Sequence, residues 1–279
     1  MSDTMARASA HRVPHEPATA GRRARAVLVT EWIKLRSLRA MLITPPLTAV
    51  VCIGLGTVVC ANNASTWPRL DAAGKAAFNP LDVNLQFVII AALFLGVFGA
   101  QVATNEYVGS RLIRTTLSAT PQRGLVLAAK AGLVGAIAFV LSTVICFTAF
   151  FTGQGMFSGA VPRVSLGDPG VAGHVMGSVY YLTAVGLIGL FVGTLVRSAA
   201  AAISGMFALM LVLPIMVNNL PADAVTRHTV PYLPFNLGWS LWHSPSGDNV
   251  SGSVAVLALA VWVLVLAAVA ALGLRGRDA

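Results

Sequence analysis

Few side chains in this sequence are placed to make or break bonds. A loop that wraps phosphate in backbone N–H groups has the form G-x-x-x-x-G-K. Of the three lysines, Lys34, Lys75 and Lys130, only Lys75 follows a glycine, Gly74, and Arg69 stands where the earlier glycine belongs. No H-E-x-x-H pair occurs to hold a zinc ion. Ser158 sits in Gly155-Met156-Phe157-Ser158-Gly159, the wrong spacing for a nucleophile elbow. Asp168, in Leu166-Gly167-Asp168-Pro169, reads as a turn residue rather than an acid. Cys52, Cys60 and Cys146 lie in or beside apolar runs with no C-x-x-C pairing, and read as small buried hydrophobes. His11, His15 and Glu16 lack a second cluster that would complete a metal site. The expectation is a chain with no catalytic constellation, metal or cofactor of its own.

What remains is charge set for recognition. Residues 22–39 read RRARAVLVTEWIKLRSLR. On a helical wheel Val27, Leu28, Trp32, Leu35 and Leu38 share one side, while Arg25, Lys34 and Arg36 fall away from them. Glu31 and Arg39 interrupt the apolar arc. The pattern predicts an interfacial amphipathic helix over 22–40, with Trp32 at the interface and its basic residues toward anionic lipid. Residues 105–120 read NEYVGSRLIRTTLSAT, and Pro121 stops the helix they predict. Arg111, Arg114 and Ser118 share a face with Tyr107. Guanidinium groups presented in this way can pair with carboxylates of a cytoplasmic partner.

The elements that position these two segments are set by composition. The 279 residues are 56% hydrophobic and 10% charged, against about 25% charged in a soluble domain. The natural solvent of most of the chain is lipid. Six apolar runs, at roughly 41–61, 85–104, 128–151, 173–196, 199–217 and 253–273, each approach the ~20 residues a helix needs to cross ~30 Å of hydrocarbon. The first follows a long polar lead and is expected to stay as a span, although Pro45 and Pro46 blur its start. Arg197 and Ser198 mark a tight hairpin between the fourth and fifth. Residues 1–21 and 275–279 read as tails, the first disordered.

The net charge of +9 follows topology and shows no aromatic-interleaved basic face for nucleic acid. With the amino terminus inside, the cytoplasmic segments collect Arg7, Arg12, Arg22, Arg23, Arg25, Lys34, Arg36 and Arg39. They also collect Arg111, Arg114, Arg123, Lys130, Arg197, Arg275 and Arg277. Only Arg69, Lys75, Arg163 and Arg227 fall outside. Fifteen basic residues against four orient the chain with both termini in the cytoplasm.

Within the spans, ionisable or strongly polar groups are sparse: Gln101 low in the second, His174 at the edge of the fourth. That argues against an ion-coupled carrier relying on intramembrane acids, though sodium sites built from carbonyls keep the class open. Uncharged interiors suit an apolar or amphiphilic solute. Small residues recur, and Gly189 and Gly193 form a G-x-x-x-G pair suited to close packing within one bundle.

Glu31-Trp32-Ile33-Lys34-Leu35-Arg36-Ser37-Leu38-Arg39 before the first span resembles the amino-terminal signature of bacterial ATP-binding-cassette (ABC) exporter permeases of the type-2 class. Asn105-Glu106-Tyr107-Val108-Gly109-Ser110-Arg111-Leu112-Ile113-Arg114-Thr115-Thr116-Leu117, followed by Pro121, Arg123 and Ala129-Lys130, is similar to the block after that family's second span. The resemblance implies an all-α six-helix transmembrane bundle with an amino-terminal interfacial helix and a cytoplasmic coupling helix. It implies a second permease chain, homo- or heterodimeric, and a separate ATPase subunit that carries ATP and magnesium. Glu106, Tyr107, Gly109, Ser110, Arg111 and Arg114 would be the ATPase contact. Glu31, Trp32, Lys34, Leu35 and Arg36 would belong to the interfacial helix beside it. Residues 231–243 (PYLPFNLGWSLWH) would either dip back into the membrane, as in the family, or form an interfacial aromatic belt. Outside the resemblance, a non-transporting membrane anchor or assembly protein and an ion-coupled secondary transporter stay open.

Overall fold

The computed structural model describes residues 20–37, 39–105, 123–219, 228–243 and 250–275. The tail expected over the first residues falls almost wholly outside this set, as does the segment 106–122.

All regular structure among the described residues is helical. Helix α1 (Ala20–Ser37) is followed by α2 (Arg39–Thr66), α3 (Ala72–Ala77), α4 (Pro80–Leu85) and α5 (Phe87–Thr104). Then come α6 (Arg123–Met156), α7 (Val171–Val196), α8 (Ala199–Phe207) and α9 (Leu213–Asn218). The series closes with α10 (Pro234–Trp242) and α11 (Gly252–Arg275). Six stretches are long and apolar enough to cross a membrane. They are α2, α4 with α5, α6, α7, α8 with α9, and α11, and they pack as one bundle. The chain is therefore an all-α, multi-pass membrane protein.

Several boundaries differ from the expected ones. The interfacial helix is described from Ala20 to Ser37, and Arg39 and Ala40 are helical with the first span. The helix of that span continues through Pro45 and Pro46, which forgo only the bonds their missing N–H groups would make to the previous turn. The third span starts at Arg123 rather than 128 and runs 34 residues. At 1.5 Å per residue that is about 51 Å, well beyond the hydrocarbon thickness. Lys130 is thus about two turns inside a helix, not at its start. The fifth span is not one regular helix. Residues 208–212 form a π-turn, in which the Leu213 N–H bonds back to Ala208 O. Pro214, just beyond, has no N–H to offer an α-helical ladder, and the wider turn absorbs that defect.

Two spans form the centre. Two-thirds of the most apolar stretches of the second and fourth spans is buried, against 17–22% for the first, fifth and sixth. Helices α5 and α7 touch backbone to backbone. A Cβ at Gly99 would collide with the Gly186 carbonyl oxygen, and one at Gly189 with that of Gly96. One at Gly193 would stand 2.7 Å from Ala100 O. The G-x-x-x-G pair therefore seats the fourth span on the second within this chain. Between α7 and α8, Arg197 takes the left-handed conformation (φ 59°), and the Ser198 hydroxyl caps α8 by accepting the Ala201 N–H.

The bundle has two distinguishable ends. At the end called proximal here, Leu35 of α1 and Ala270 in the last turns of α11 belong to one apolar cluster. The larger cluster extends to the distal end, where Leu81, Val171, Trp242 and Ala255 pack together.

Candidate functional site

At the proximal end α1 lies along the beginning of α6. Its inner face carries Leu35, 3% exposed, and Glu31, 2% exposed. Leu35 belongs to one buried apolar cluster with Phe98, Val102 and Ala103 of α5, Leu127 and Val134 of α6, and Leu190 of α7. Glu31 brings a charge into this seam. Its Oε1 accepts a hydrogen bond from Lys34 Nζ at 2.7 Å, and its Oε2 lies 3.6 Å from Lys130 Nζ. The side chains of Glu31 and Lys130 are 2% and 7% exposed, while that of Lys34 is 28% exposed. A charge withdrawn from water needs opposite charges in place of the lost solvation, and two ammonium groups stand against this carboxylate.

Val29 and Ile33 face away from this seam, and Leu28 and Trp32 are also exposed, the four between 41% and 61%, with Arg22, Arg25 and Arg36 exposed beside them. The expected apolar side is therefore buried only in part. Leu35 packs into the bundle, while Leu28, two turns earlier on the same side, and Trp32 stay exposed. Lys34 is not held away from the protein: it is bound to Glu31. Glu31, an interruption on the helical wheel, is the residue most deeply buried in α1.

Glu106, Tyr107, Gly109, Ser110, Arg111 and Arg114 lie outside the described residues. Their frame is described. Helix α5 ends with the Thr104 hydroxyl donating to Ala100 O at 2.9 Å and the Asn105 N–H donating to Gln101 O at 2.9 Å. Helix α6 begins at Arg123. Val102 and Ala103 on one flank and Leu127 on the other belong to the cluster that receives Leu35. The chain that joins the second and third spans thus leaves and returns beside α1.

The distal end holds Asp168 and His174 together with polar side chains, Asn84, Gln154 and Asp82, that the sequence did not single out. Asn84, fully buried, donates through Nδ2 to Ala149 O at 3.3 Å and Phe150 O at 3.4 Å. It can approach because residue 153 is glycine, whose Cβ would otherwise occupy the same space. Gln154 Nε2 donates to Pro80 O at 3.1 Å, and its Oε1 accepts the Val164 N–H at 2.9 Å. Asp168 makes a turn by accepting the Ser165 N–H and hydroxyl. Asp82 Oδ2 lies 3.5 Å from His243 Nδ1, and His174 Nδ1 is 3.0 Å from Leu241 O.

Residues 231–243 form a short 3-10 turn and then α10, with Leu237, Leu241 and Trp242 buried. Gly238 lies against the ring of Tyr181, and Gly177 against Leu241 O. Trp262 Nε1 donates to Tyr232 O at 2.9 Å. Tyr181 and Trp262 are each ten residues into their helices, about 15 Å from the distal ends. The segment therefore lies beside the distal halves of α7 and α11. Cys52, Cys60 and Cys146 are free and buried.

Compared with models of known families and with curated proteins, the sequence matches none.

Proposed function

We propose that this chain is the membrane permease subunit of an ATP-driven exporter of the type-2 ABC class. It spans the cytoplasmic membrane with both termini in the cytoplasm and works with a second permease chain. A separate ATPase subunit binds and hydrolyses ATP with magnesium. The observation that carries the reading is a convergence. Helix α1, whose sequence resembles the family's amino-terminal signature, and the two helix ends that bracket the similar block at 106–122 meet at one end of the bundle. An ATPase bound there acts at once on the second and third spans and on the helix leading into the first.

On this reading Arg111 and Arg114 pair with ATPase carboxylates, and Gly109 allows close backbone approach. Leu28, Trp32 and Ile33 rest among lipid headgroups with Arg25 and Arg36 toward anionic lipid. Residues 231–243 re-enter the membrane from the external side. The solute is small, apolar or amphiphilic.

The test is the double variant Arg111→Glu with Arg114→Glu. Both the association with an ATPase subunit and export are expected to be lost. Normal binding and transport by that variant would show the coupling assignment to be wrong. Transport that survives ATP depletion and collapses with an ion gradient would instead identify a secondary carrier. A stable partner complex without transport would identify an anchor.

A further inference from the structure

The buried ion pair between α1 and the third span has an arrangement that an anchoring role alone does not require. Glu31 has a charge partner on its own helix, Lys34, at 2.7 Å. Its second partner, Lys130, sits on α6 at 3.6 Å and is itself buried. An apolar contact holds two helices together but lets them slide, because burial is not directional. A charged pair in a dry seam fixes both the rotation and the height of one helix on the other, since any displacement leaves a buried charge less well paired.

Resting on the permease reading, we propose that Glu31 is a positioning residue that makes α1 and α6 a single moving body. Movement delivered to the chain around Arg123 then reaches α1, and through it the first span that begins at Arg39. Lys130 lies seven residues from the start of α6, close enough to that connection for rigid transmission along two helical turns.

The test uses the full-length chain with its ATPase subunit in open membrane fragments, and Leu35→Cys as a reporter. The native cysteines are all buried, so a polar maleimide reads position 35. With Glu31 intact, labelling is slow. Glu31→Gln is expected to raise the rate about tenfold by freeing α1 locally. The exchange Glu31→Lys with Lys130→Glu is expected to restore protection, which a merely space-filling role would not do. If Glu31→Gln fails to accumulate, the neutral pair Glu31→Gln with Lys130→Met is read in the same way. Unchanged labelling in every variant, or an exchanged pair that stays unprotected, overturns the proposal.

A second reporter, Ser251→Cys, lies at an exposed distal position just before α11. A non-hydrolysable ATP analogue is expected to change its labelling with Glu31 present and not with Glu31→Gln, while the ATPase remains bound. An equal response in both would also overturn the proposal. Absence of any ATPase subunit from the unmodified protein would overturn the permease reading and leave the result at Leu35→Cys to stand by itself.

Discussion

The Glu31 carboxylate, 2% exposed, lies against two ammonium groups. Removing Lys130 leaves the carboxylate with Lys34 alone, itself 28% exposed, so the cost stays below the about 3–5 kcal/mol of a fully unpaired buried charge. Lys130→Met alone is therefore expected to lower thermal stability in detergent. Glu31→Gln combined with Lys130→Met is expected to recover most of the loss, because neither buried position then carries a charge. Equal melting points for the single and double variants would show that the pair is not coupled. At the other end, Asn84→Ala removes the donors that reach Ala149 O and Phe150 O. Its expected cost is about 0.5–1.5 kcal/mol, the net worth of a hydrogen bond, because both carbonyls keep their helical partners, read as a lower unfolding temperature. The sequence made these residues visible only as irregularities. Glu31 broke an apolar arc and Lys130 stood at the mouth of an apolar run, and pairing them requires knowing that α1 folds back along α6. Asn84 gave no signal, because its partners are backbone carbonyls some 65 residues away, and carbonyls are present at every position.

Among the helices, close packing of α5 on α7 depends on a few missing side chains. Gly99→Ala would press a methyl group into the Gly186 carbonyl and to within 2.8 Å of Leu190 N. Both are backbone atoms that cannot rotate away, and overpacking of this kind costs about 1–3 kcal/mol. Gly132→Ala meets nothing within 4 Å and is expected to be neutral or to gain up to about 1 kcal/mol from helix propensity. The two variants, compared by thermal unfolding, separate a packing glycine from an idle one. If Gly99→Ala were as stable as Gly132→Ala, the backbone contact would be refuted. Composition made the six spans legible, because each requires a long apolar run and little else. The glycine spacing pointed to close contact but could not name the partner helix. Helix ends were less legible. Arg123 to Leu127 extend the third span because a helix can protrude beyond the hydrocarbon, and polar residues there interrupt nothing. The π-turn at 208–212 follows from Pro214, a visible cue whose consequence is set by the surrounding helix.

For the whole molecule, the uneven burial of the spans matters most. The first, fifth and sixth expose long apolar faces, including Leu42, Val50 and Val58 on α2 and Leu257, Leu264 and Leu272 on α11. In a permease dimer such faces are shared between lipid and the second chain. The excess of basic residues on alternate connections predicts sidedness. A reporter fused after Ala279 should be active only in the cytoplasm, and one inserted within residues 159–163 only outside. The reverse pattern would invert the topology and place α1 on the wrong face to meet ATP. The central claim is that the proximal end receives an ATPase. Its most direct measurement is purification of the full-length chain from its native membrane in mild detergent, followed by identification of what accompanies it. The account predicts a separate chain bearing a phosphate-binding loop, present in fixed proportion, hydrolysing ATP, and lost with Arg111→Glu and Arg114→Glu. Recovery of the chain from intact native membrane with no nucleotide-hydrolysing partner would contradict it.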